Sequence, residues 1–306
     1  MACSPRVEWD FDDVSVKLTN TDRVMFPETG ITKREVLEYY RDIAEFMIPE
    51  VRDRALSIER YTKGIDVGGF FQKHWQKHYP EWIRSAELGT KTVVRYPIAD
   101  TPAALVYFAN QGGIAMHIWT SRVASPEYPD LLVFDLDPPD GRFDLVRFAA
   151  LEIKELCESV DLSTFVKTTG SKGLHVVVPL DGRALFGEVM AMGNRISKIL
   201  CARHPDKLTQ EFYKKDRKGR LYLDVMRNAL GATIIAPYSL RGKPGAPLSA
   251  PIEWEEVEDA SLEPNGFTLR NIRKRIDLVG DPWSNLRHRT ASVDDADALL
   301  TRLEDD

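Results

Sequence analysis

Hydrophobic and polar positions along the chain follow two spacings, and these predict its secondary structure. Alternating or short apolar runs predict strands at residues 15–18, 92–98, 131–134, 165–169, 174–180 and 221–225. Apolar positions three or four residues apart predict helices at residues 32–49, 101–111, 143–160, 185–202 and 269–278, followed by a polar tail. Thr32 and Glu35 form a capping-box pattern at the start of the first helix, and Pro49 is expected to end it. The mixture predicts an α/β fold.

The composition is that of an ordinary globular protein, since 43% of the 306 residues are hydrophobic and 29% are charged. No run of about 18 apolar residues is present to span a bilayer, and no apolar signal-peptide segment lies near the start. The cysteines Cys3, Cys157 and Cys201 have neither metal-binding nor disulfide spacing. We therefore expect a cytoplasmic protein that binds no membrane.

The net charge of −6 argues weakly against a nucleic-acid partner, but the distribution of charge matters more than the sum. Residues 60–95 contain seven Lys and Arg against three Asp and Glu, and residues 203–220 have the same balance. Residues 253–306 contain fourteen acidic against seven basic residues. Two basic stretches are therefore available to a polyanion, although ordinary solvated surface would explain them equally well.

Asp135 and Asp137 follow an apolar strand and precede two prolines. Alternate strand residues share a face, so both carboxylates are predicted to point the same way. Such a pair repels itself unless a cation intervenes, and oxygen ligands suit Mg²⁺ or Mn²⁺. Asp224, a single acid among apolar residues, would complete a two-metal site. A salt bridge from Asp224 to Arg217 or Arg227 is the alternative.

The turn 170–173 (Gly-Ser-Lys-Gly) separates two predicted strands. Its glycines would let the backbone approach a phosphate, with Ser171 and Lys172 supplying a hydroxyl and a charge. His175 follows and could contact a phosphate or sugar, and Arg241 could grip phosphate oxygens in a bidentate manner. The alternative is a plain hairpin with a core histidine.

Phe70 and Phe71 lie among basic residues. An exposed phenylalanine beside a lysine can stack on a base while the lysine meets the backbone. Core packing of both rings is the alternative.

Together these segments resemble the LigD polymerase domain of prokaryotic non-homologous end joining, a branch of the archaeo-eukaryotic primase superfamily. The matching stretches are 18–33 (LTNTDRVMFPETGITK), 68–74 (GGFFQKH), 132–138 (LVFDLDP), 168–180 (TTGSKGLHVVVPL), 221–225 (LYLDV) and 235–243 (IAPYSLRGK). They occur in the order of the family and cover nearly the whole chain. Their combination is highly specific, although no single stretch is decisive.

The resemblance implies three groups of site residues. The metal-binding catalytic residues would be Asp135, Asp137 and Asp224. The nucleotide-binding residues would be Ser171, Lys172, Gly173, His175, Arg241 and His117. The residues for the 5′-phosphate and template of the DNA end would be Asn20, Arg23, Lys33, Phe70 and Phe71. Glu59-Arg60 departs from the basic pair of the family, which argues against a nucleic-acid contact by Glu59.

The resemblance also implies a primase-type core of mostly antiparallel sheets flanked by helices, with an N-terminal helical and loop elaboration. We expect one domain over residues 1–306, divided into an end-binding lobe (about 1–125), a catalytic core (126–290) and an acidic tail (291–306). The chain would be either a stand-alone homologue or an excised domain, since many relatives are fused to a ligase and a phosphoesterase.

The implied activity is template-dependent transfer of ribo- or deoxyribonucleotides to a primer 3′-OH at DNA breaks or gaps bearing a 5′-phosphate, with two Mn²⁺ or Mg²⁺ ions. Implied partners are such DNA, NTP or dNTP, Ku and a DNA ligase, for a monomer near the nucleoid. The alternatives are gap filling in excision repair, a metal-dependent phosphoesterase or nuclease, and a catalytically silent DNA-end binder. Residues for a triphosphate argue against a nuclease, and three intact carboxylates argue against a silent binder.

Overall fold

The computed structural model describes residues 7–89 and 92–305, so Cys3 lies outside the described residues. The strands in this part of the chain are β1 (Val7–Phe11), β2 (Val14–Leu18), β3 (Val24–Phe26), β4 (Ile31–Thr32), β5 (Leu56–Arg60), β6 (Phe70–Gln72), β7 (Ser85–Leu88), β8 (Val94–Pro97), β9 (Gly113–Trp119), β10 (Ser121–Arg122), β11 (Ser125–Pro129), β12 (Leu131–Leu136), β13 (Phe165–Thr168), β14 (Leu174–Pro179), β15 (Leu208–Thr209), β16 (Leu221–Tyr222), β17 (Thr233–Ile235) and β18 (Pro251–Ile252). The α-helices are α1 (Lys33–Asp42), α2 (Ala44–Val51), α3 (Pro102–Asn110), α4 (Phe143–Glu158), α5 (Phe186–Arg203), α6 (Lys214–Arg217), α7 (Trp254–Glu258), α8 (Ile272–Val279) and α9 (Val293–Asp305).

Two four-stranded antiparallel sheets form the centre of the fold. The first sheet has the strand order β12-β14-β13-β18, and the second has the order β17-β9-β5-β6. Strands β12 and β14 are buried along their whole length, which explains their near-continuous apolar sequences. Helices α4 and α5 pack against each other and against these two strands. The predicted α/β class with mostly antiparallel sheets is confirmed.

The N-terminal helices pack beside the second sheet. Thr32 and Glu35 form the predicted capping box at the start of α1. The predicted helix 32–49 is, however, divided at Ile43 into α1 and α2, and Pro49 lies inside α2 rather than ending it. Burial of Val51 and its neighbours against the core keeps α2 helical beyond the proline.

Other segments also differ from the sequence prediction, which for example gave no strand at β5 or β9. The strand predicted at 221–225 is confined to β16, which pairs in parallel with β15, and Asp224 joins the first sheet through a single bridge to Asp135. The polar tail predicted after residue 278 contains α9, which packs on α5. Val293, Ala296 and Leu300 share the buried face of α9. Because aspartates surround these three apolar residues, their helical spacing is difficult to recognise in the sequence.

Candidate active site

A row of polar side chains crosses the first sheet, which is otherwise apolar at its centre. Lys167 on β13 lies opposite His175 on β14, and His175 lies opposite Asp135 on β12. The row continues to Asp224, whose carbonyl oxygen accepts a hydrogen bond of 2.9 Å from the Asp135 amide. Directly opposed residues share a face of a sheet, so the row projects from the side of the sheet on which a cavity opens.

This carboxylate cavity has a volume of about 310 Å³. Its lining is formed by Phe71, His117, Asp135, Asp137, Thr169, Ser171, His175, Arg227, Thr233, Ile234, Ile235 and Arg241. The structure thus brings together seven of the site residues predicted from the sequence, although their positions span residues 71 to 241. Lys172, Gly173 and Asp224 are not part of the lining.

Gly173 contributes through close packing rather than through a side chain. A β-carbon at this position would lie 1.9 Å from the carbonyl oxygen of Leu136 and 3.2 Å from Asp137 Oδ1. Only glycine therefore lets the turn approach the end of β12 so closely. Lys172 is exposed in the same turn, and its charge acts to lower the pKa of Asp137.

Asp135 is held by two side chains. Arg227 Nε donates to Asp135 Oδ2 at 2.9 Å, and His175 Nε2 lies 3.2 Å from Oδ1. Burial lowers the pKa of His175 to about 4, so the ring is neutral at pH 7 and stabilises the carboxylate as a hydrogen-bond donor. Burial acts to raise the pKa of Asp135, but the contacts with His175 and Arg227 outweigh it and hold that pKa well below its usual value.

The pKa values of the other two carboxylates, Asp137 and Asp224, are shifted in the opposite direction from that of Asp135. Burial first, and then the charge of Asp135, raise the pKa of Asp137, and the pKa of Asp224 is raised as well. Asp224 accepts a hydrogen bond of 2.8 Å from the amide of Met226. Three crowded carboxylates with two raised pKa values form a donor set that fits a hard divalent cation.

The three carboxylates suit a divalent cation by the type of their ligand atoms, but the structure does not hold them in a ready-made metal site. Among the described residues, no group of three His, Cys, Asp or Glu side chains is already arranged to hold a metal ion. In this arrangement Asp135 Oδ2 contacts Arg227 and Oδ1 contacts His175. Sequence reasoning weighed Arg227 only as a partner of Asp224, whereas its hydrogen bond is made to Asp135.

Cations line the phosphate-binding side predicted from the sequence. Arg241 lines the cavity, and the Lys243 ammonium donates to Ser171 Oγ. The intervening Gly242 packs on Tyr61, since a β-carbon there would lie 2.2 Å from the ring. Lys243 was not assigned from the sequence, although it stands two positions after Arg241 in the motif that carried the resemblance.

His117 reaches the cavity from the second sheet. Its Nε2 atom is buried and has no hydrogen-bond partner within the described residues, and the same is true of His175 Nδ1. Burial, and then the charge of Arg241, lower the pKa of His117 to about 3, so its ring is also neutral. A buried polar atom left without a protein partner is expected to find one in a ligand or a water molecule.

A second, basic cavity of about 170 Å³ lies beside Arg60. It brings together Asn20, Arg23 and Lys33, the three residues predicted for the 5′-phosphate. Lys33 is 4% exposed, and its ammonium donates to the carbonyl oxygen and the hydroxyl of Thr19 at 2.5 and 3.2 Å. Burial, and then the charge of Arg23, lower the pKa of Lys33 to about 8.

Strands β5 and β6 join the two cavities. Phe70 and Phe71 are 51% and 63% exposed on β6, which is an edge strand of the second sheet among the described residues. The alternative of core packing for these rings is therefore wrong. Phe70 lies under the guanidinium of Arg60 at 5.6 Å, whereas Phe71 meets the ring of His117 at 5.3 Å. One ring thus lies on the side of the basic cavity and the other on the side of the carboxylate cavity.

Comparison with known proteins identifies the fold as that of a primase-type polymerase. The sequence profile of the family "LigD, primase-polymerase domain" matches residues 32–283. The multifunctional non-homologous end joining protein LigD of Mycolicibacterium smegmatis is 33% identical over 290 residues, which are 94% of this chain and 37% of that protein. The bifunctional LigD of Bacillus subtilis is 29% identical over 291 residues, which are 94% of this chain and 47% of that protein.

The solved polymerase domain from Mycobacterium tuberculosis ligase D, in complex with DNA, superposes with a TM-score of 0.85 at 31% identity. The match covers 90% of this chain and 99% of that one. This chain belongs to the LigD primase-polymerase domain family, a family of nucleotidyltransferases. It spans less than half the length of the two LigD proteins.

Family membership implies a dependence on divalent metal, without identifying the ion or the number of ions. It also places the chain in a family of polymerases rather than of phosphoesterases. In the part of the chain that the structure describes, no helix is long and apolar enough to cross a membrane.

Proposed function

We propose that this chain extends a primer 3′-OH with ribo- or deoxyribonucleotides at DNA breaks or gaps that carry a 5′-phosphate on the downstream strand. The observation that carries the proposal is the pair of cavities joined by β5 and β6. The carboxylate cavity supplies groups for metal and triphosphate, and the basic cavity supplies groups for a phosphate monoester. A polymerase that also recognises the downstream 5′ end of a gap needs both cavities.

In the carboxylate cavity, Arg241, Lys243 and the turn at Ser171 would bind the triphosphate. The free ring nitrogens of His117 and His175 would meet polar groups of the nucleotide. The reaction joins the primer 3′ oxygen to the α-phosphorus as the bond from that phosphorus to the bridging oxygen breaks. Pyrophosphate leaves, and the hydroxyl proton passes to solvent.

Asp135, Asp137 and Asp224 would hold the ions, for which we propose two Mn²⁺ or Mg²⁺. When bound, such ions neutralise the phosphates and favour ionisation of the attacking hydroxyl. The protein itself contributes orientation, since His175 fixes one oxygen of Asp135 and Gly173 lets the phosphate-binding turn lie against Asp137.

In the basic cavity, Asn20, Arg23 and Lys33 would bind the 5′-phosphate. Lys33 and Arg23 bond to backbone carbonyl oxygens and no acid lies in the described lining, so their charges are available to an anion. The exposed Phe70 and Phe71 would stack on template bases between the cavities. The DNA complex of the relative from M. tuberculosis supports a DNA partner, and we propose Ku and a DNA ligase as partners in end joining.

Primer extension tests this function directly. The substrate is a duplex with a short gap, with either a phosphate or a hydroxyl at the downstream 5′ end. Reactions contain ribo- or deoxyribonucleotides with Mn²⁺ or Mg²⁺. We expect template-matched addition that is more efficient beside a 5′-phosphate. A failure to incorporate any nucleotide under all of these conditions would contradict the proposal.

A further inference from the structure

The hydrogen bond between Arg227 and Asp135 joins the most buried carboxylate of the site to a half-exposed cation. The side chain of Asp135 is 10% exposed, whereas that of Arg227 is 46% exposed. The bond from Arg227 Nε to Asp135 Oδ2 is the one hydrogen bond found for this guanidinium among the described residues. Arg227 therefore lies between Asp135 and solvent and is held there by a single partner.

The guanidinium contacts the carboxylate that a bound cation would use. A Mg²⁺ ion bound directly to Asp135 Oδ2 would lie about 2.0–2.1 Å from the oxygen that accepts the 2.9 Å hydrogen bond of Arg227 Nε. The charge of Arg227 also acts on Asp224 and Asp137, the two other proposed ligands. The repulsion between the guanidinium and an ion on the same carboxylate opposes simultaneous binding.

Release of Arg227 is structurally feasible. The residue belongs to a single 3₁₀ turn, Met226–Asn228, and lines the open cavity rather than the core. The turn itself is held by the buried Asn228, whose side chain bonds to the backbone of β12 at 2.8 Å. The guanidinium can therefore move while the backbone that carries Asp224 stays in place.

We propose that Arg227 acts as a stand-in cation on Asp135, and that its release and the binding of a divalent ion are one coupled equilibrium. This inference rests on the proposed function, in which the aspartates bind such ions. In the ion-free protein Arg227 keeps Asp135 charged and oriented. Breaking the contact between Arg227 and Asp135 costs free energy, and this cost reduces the net free energy gained when the ion binds. Arg227 is therefore a positioning residue that weakens the affinity for metal.

Direct measurement of Mn²⁺ binding, from the free-ion signal in electron paramagnetic resonance, tests the coupling without nucleotide or DNA. Arg227→Gln should bind Mn²⁺ about tenfold more tightly than the wild type, because a competing positive charge is removed. Arg227→Lys keeps the charge but loses the planar donor, so its affinity should lie between the two. Arg183→Gln is the matched control, since it removes the same charge from an 88% exposed side chain outside the cavity. It should leave the affinity unchanged.

A thermal measurement gives a second readout. Without metal, Arg227→Gln should unfold at a lower temperature than the wild type, because Asp135 loses its counter-charge. Saturating Mn²⁺ should then raise its unfolding temperature by more than that of the wild type. If the glutamine variant does not fold, tighter binding by Arg227→Lys than by the wild type still supports the coupling, and unchanged binding contradicts it.

The outcomes separate this inference from the proposed function. Equal or weaker Mn²⁺ binding by a folded Arg227→Gln variant would overturn the stand-in role and leave the polymerase proposal intact. Absence of Mn²⁺ binding in the wild type, or binding that survives Asp137→Ala unchanged, would instead overturn the metal site and the inference with it.

Discussion

The carboxylate cavity and the basic cavity differ in how their charges are balanced. In the carboxylate cavity Asp135 is already paired with the cation of Arg227 and contacted by the neutral His175 ring. In the basic cavity Arg23, Lys33 and Arg60 bond to neutral oxygens, and no acid lies in its described lining. An anion can therefore bind the basic cavity with little rearrangement, whereas a cation must exchange partners in the carboxylate cavity.

The difference indicates which substitutions separate chemistry from recognition. A change among the carboxylates should abolish catalysis and leave the DNA end bound. A change among the cations of the basic cavity should alter which ends are preferred and leave the chemistry intact.

The largest expected effect is that of Asp137→Ala. Asp137 has no ion-pair partner among the described residues, so its loss leaves no buried cation uncompensated, unlike a change at Asp135. We expect primer extension to fall about a thousandfold or more, because an ion ligand is lost. Binding of a gapped duplex and the unfolding temperature should remain close to the wild type. Activity within tenfold of the wild type would exclude Asp137 from the metal site.

Lys33→Met tests the basic cavity and keeps the length of the side chain. Removing one charge-assisted hydrogen bond should weaken binding to a 5′-phosphorylated gap by about 10- to 100-fold. Binding to a 5′-hydroxyl gap should hardly change. Lys17→Met is the control, because Lys17 is exposed on β2 and does not line the cavity. Equal losses on both gaps would show that Lys33 has no specific role at the phosphate.

The two phenylalanines test where one cavity ends and the other begins. Phe71→Ala should raise the KM for the incoming nucleotide about tenfold, because Phe71 lines the carboxylate cavity beside His117 and would stack on the template base that pairs with this nucleotide. Phe70→Ala should instead weaken DNA binding by a similar factor, because Phe70 lies against Arg60. Identical effects of the two changes on both measurements would mean that the rings form one undivided surface.

Much of the fold follows from local patterns in the sequence. Strands β12 and β14 and helix α4 were predicted to within two residues because their apolar periods are long and unbroken. Strand β16 was overextended and α9 was missed, since a two-residue strand and a stripe of three apolar residues carry little periodic signal. Both depend on packing against distant elements.

The prediction of the site residues shows the same difference between local patterns and long-range packing. Asp135 and Ser171 belong to local motifs with evident chemistry and were predicted, whereas the partner of Arg227 was not. The contact between Arg227 and Asp135 joins residues 92 positions apart, which are brought together by the bridge between Asp224 and Asp135 and by the hydrogen bonds of Asn228 to β12. Lys167 was missed for another reason: it reads as a solvated lysine, but register places it beside His175, fully buried and donating to Ser249 Oγ at 2.7 Å. Tertiary pairing, and not spacing, determines such contacts.

The smallest expected effect is a pH dependence specific to the basic cavity. Burial and the charge of Arg23 lower the pKa of Lys33 to about 8, so Lys33 is charged at pH 7 and loses its proton as the pH rises through about 8. A bound phosphate would favour the charged form, so binding above pH 8 must include uptake of a proton. The phosphate monoester itself stays doubly charged, since its second pKa is about 6.

The preference for a 5′-phosphorylated over a 5′-hydroxyl gap should therefore fall by up to about tenfold between pH 7 and pH 9, as expected for loss of one proton from a group of pKa about 8. Equilibrium DNA binding across this range is the measurement, and the hydroxyl gap corrects for effects common to both ends. Lys33→Met should show a weak preference that does not vary with pH. A constant preference in the wild type would mean that Arg23 and Arg60 meet the charge on the phosphate and that Lys33 is only packed beside them.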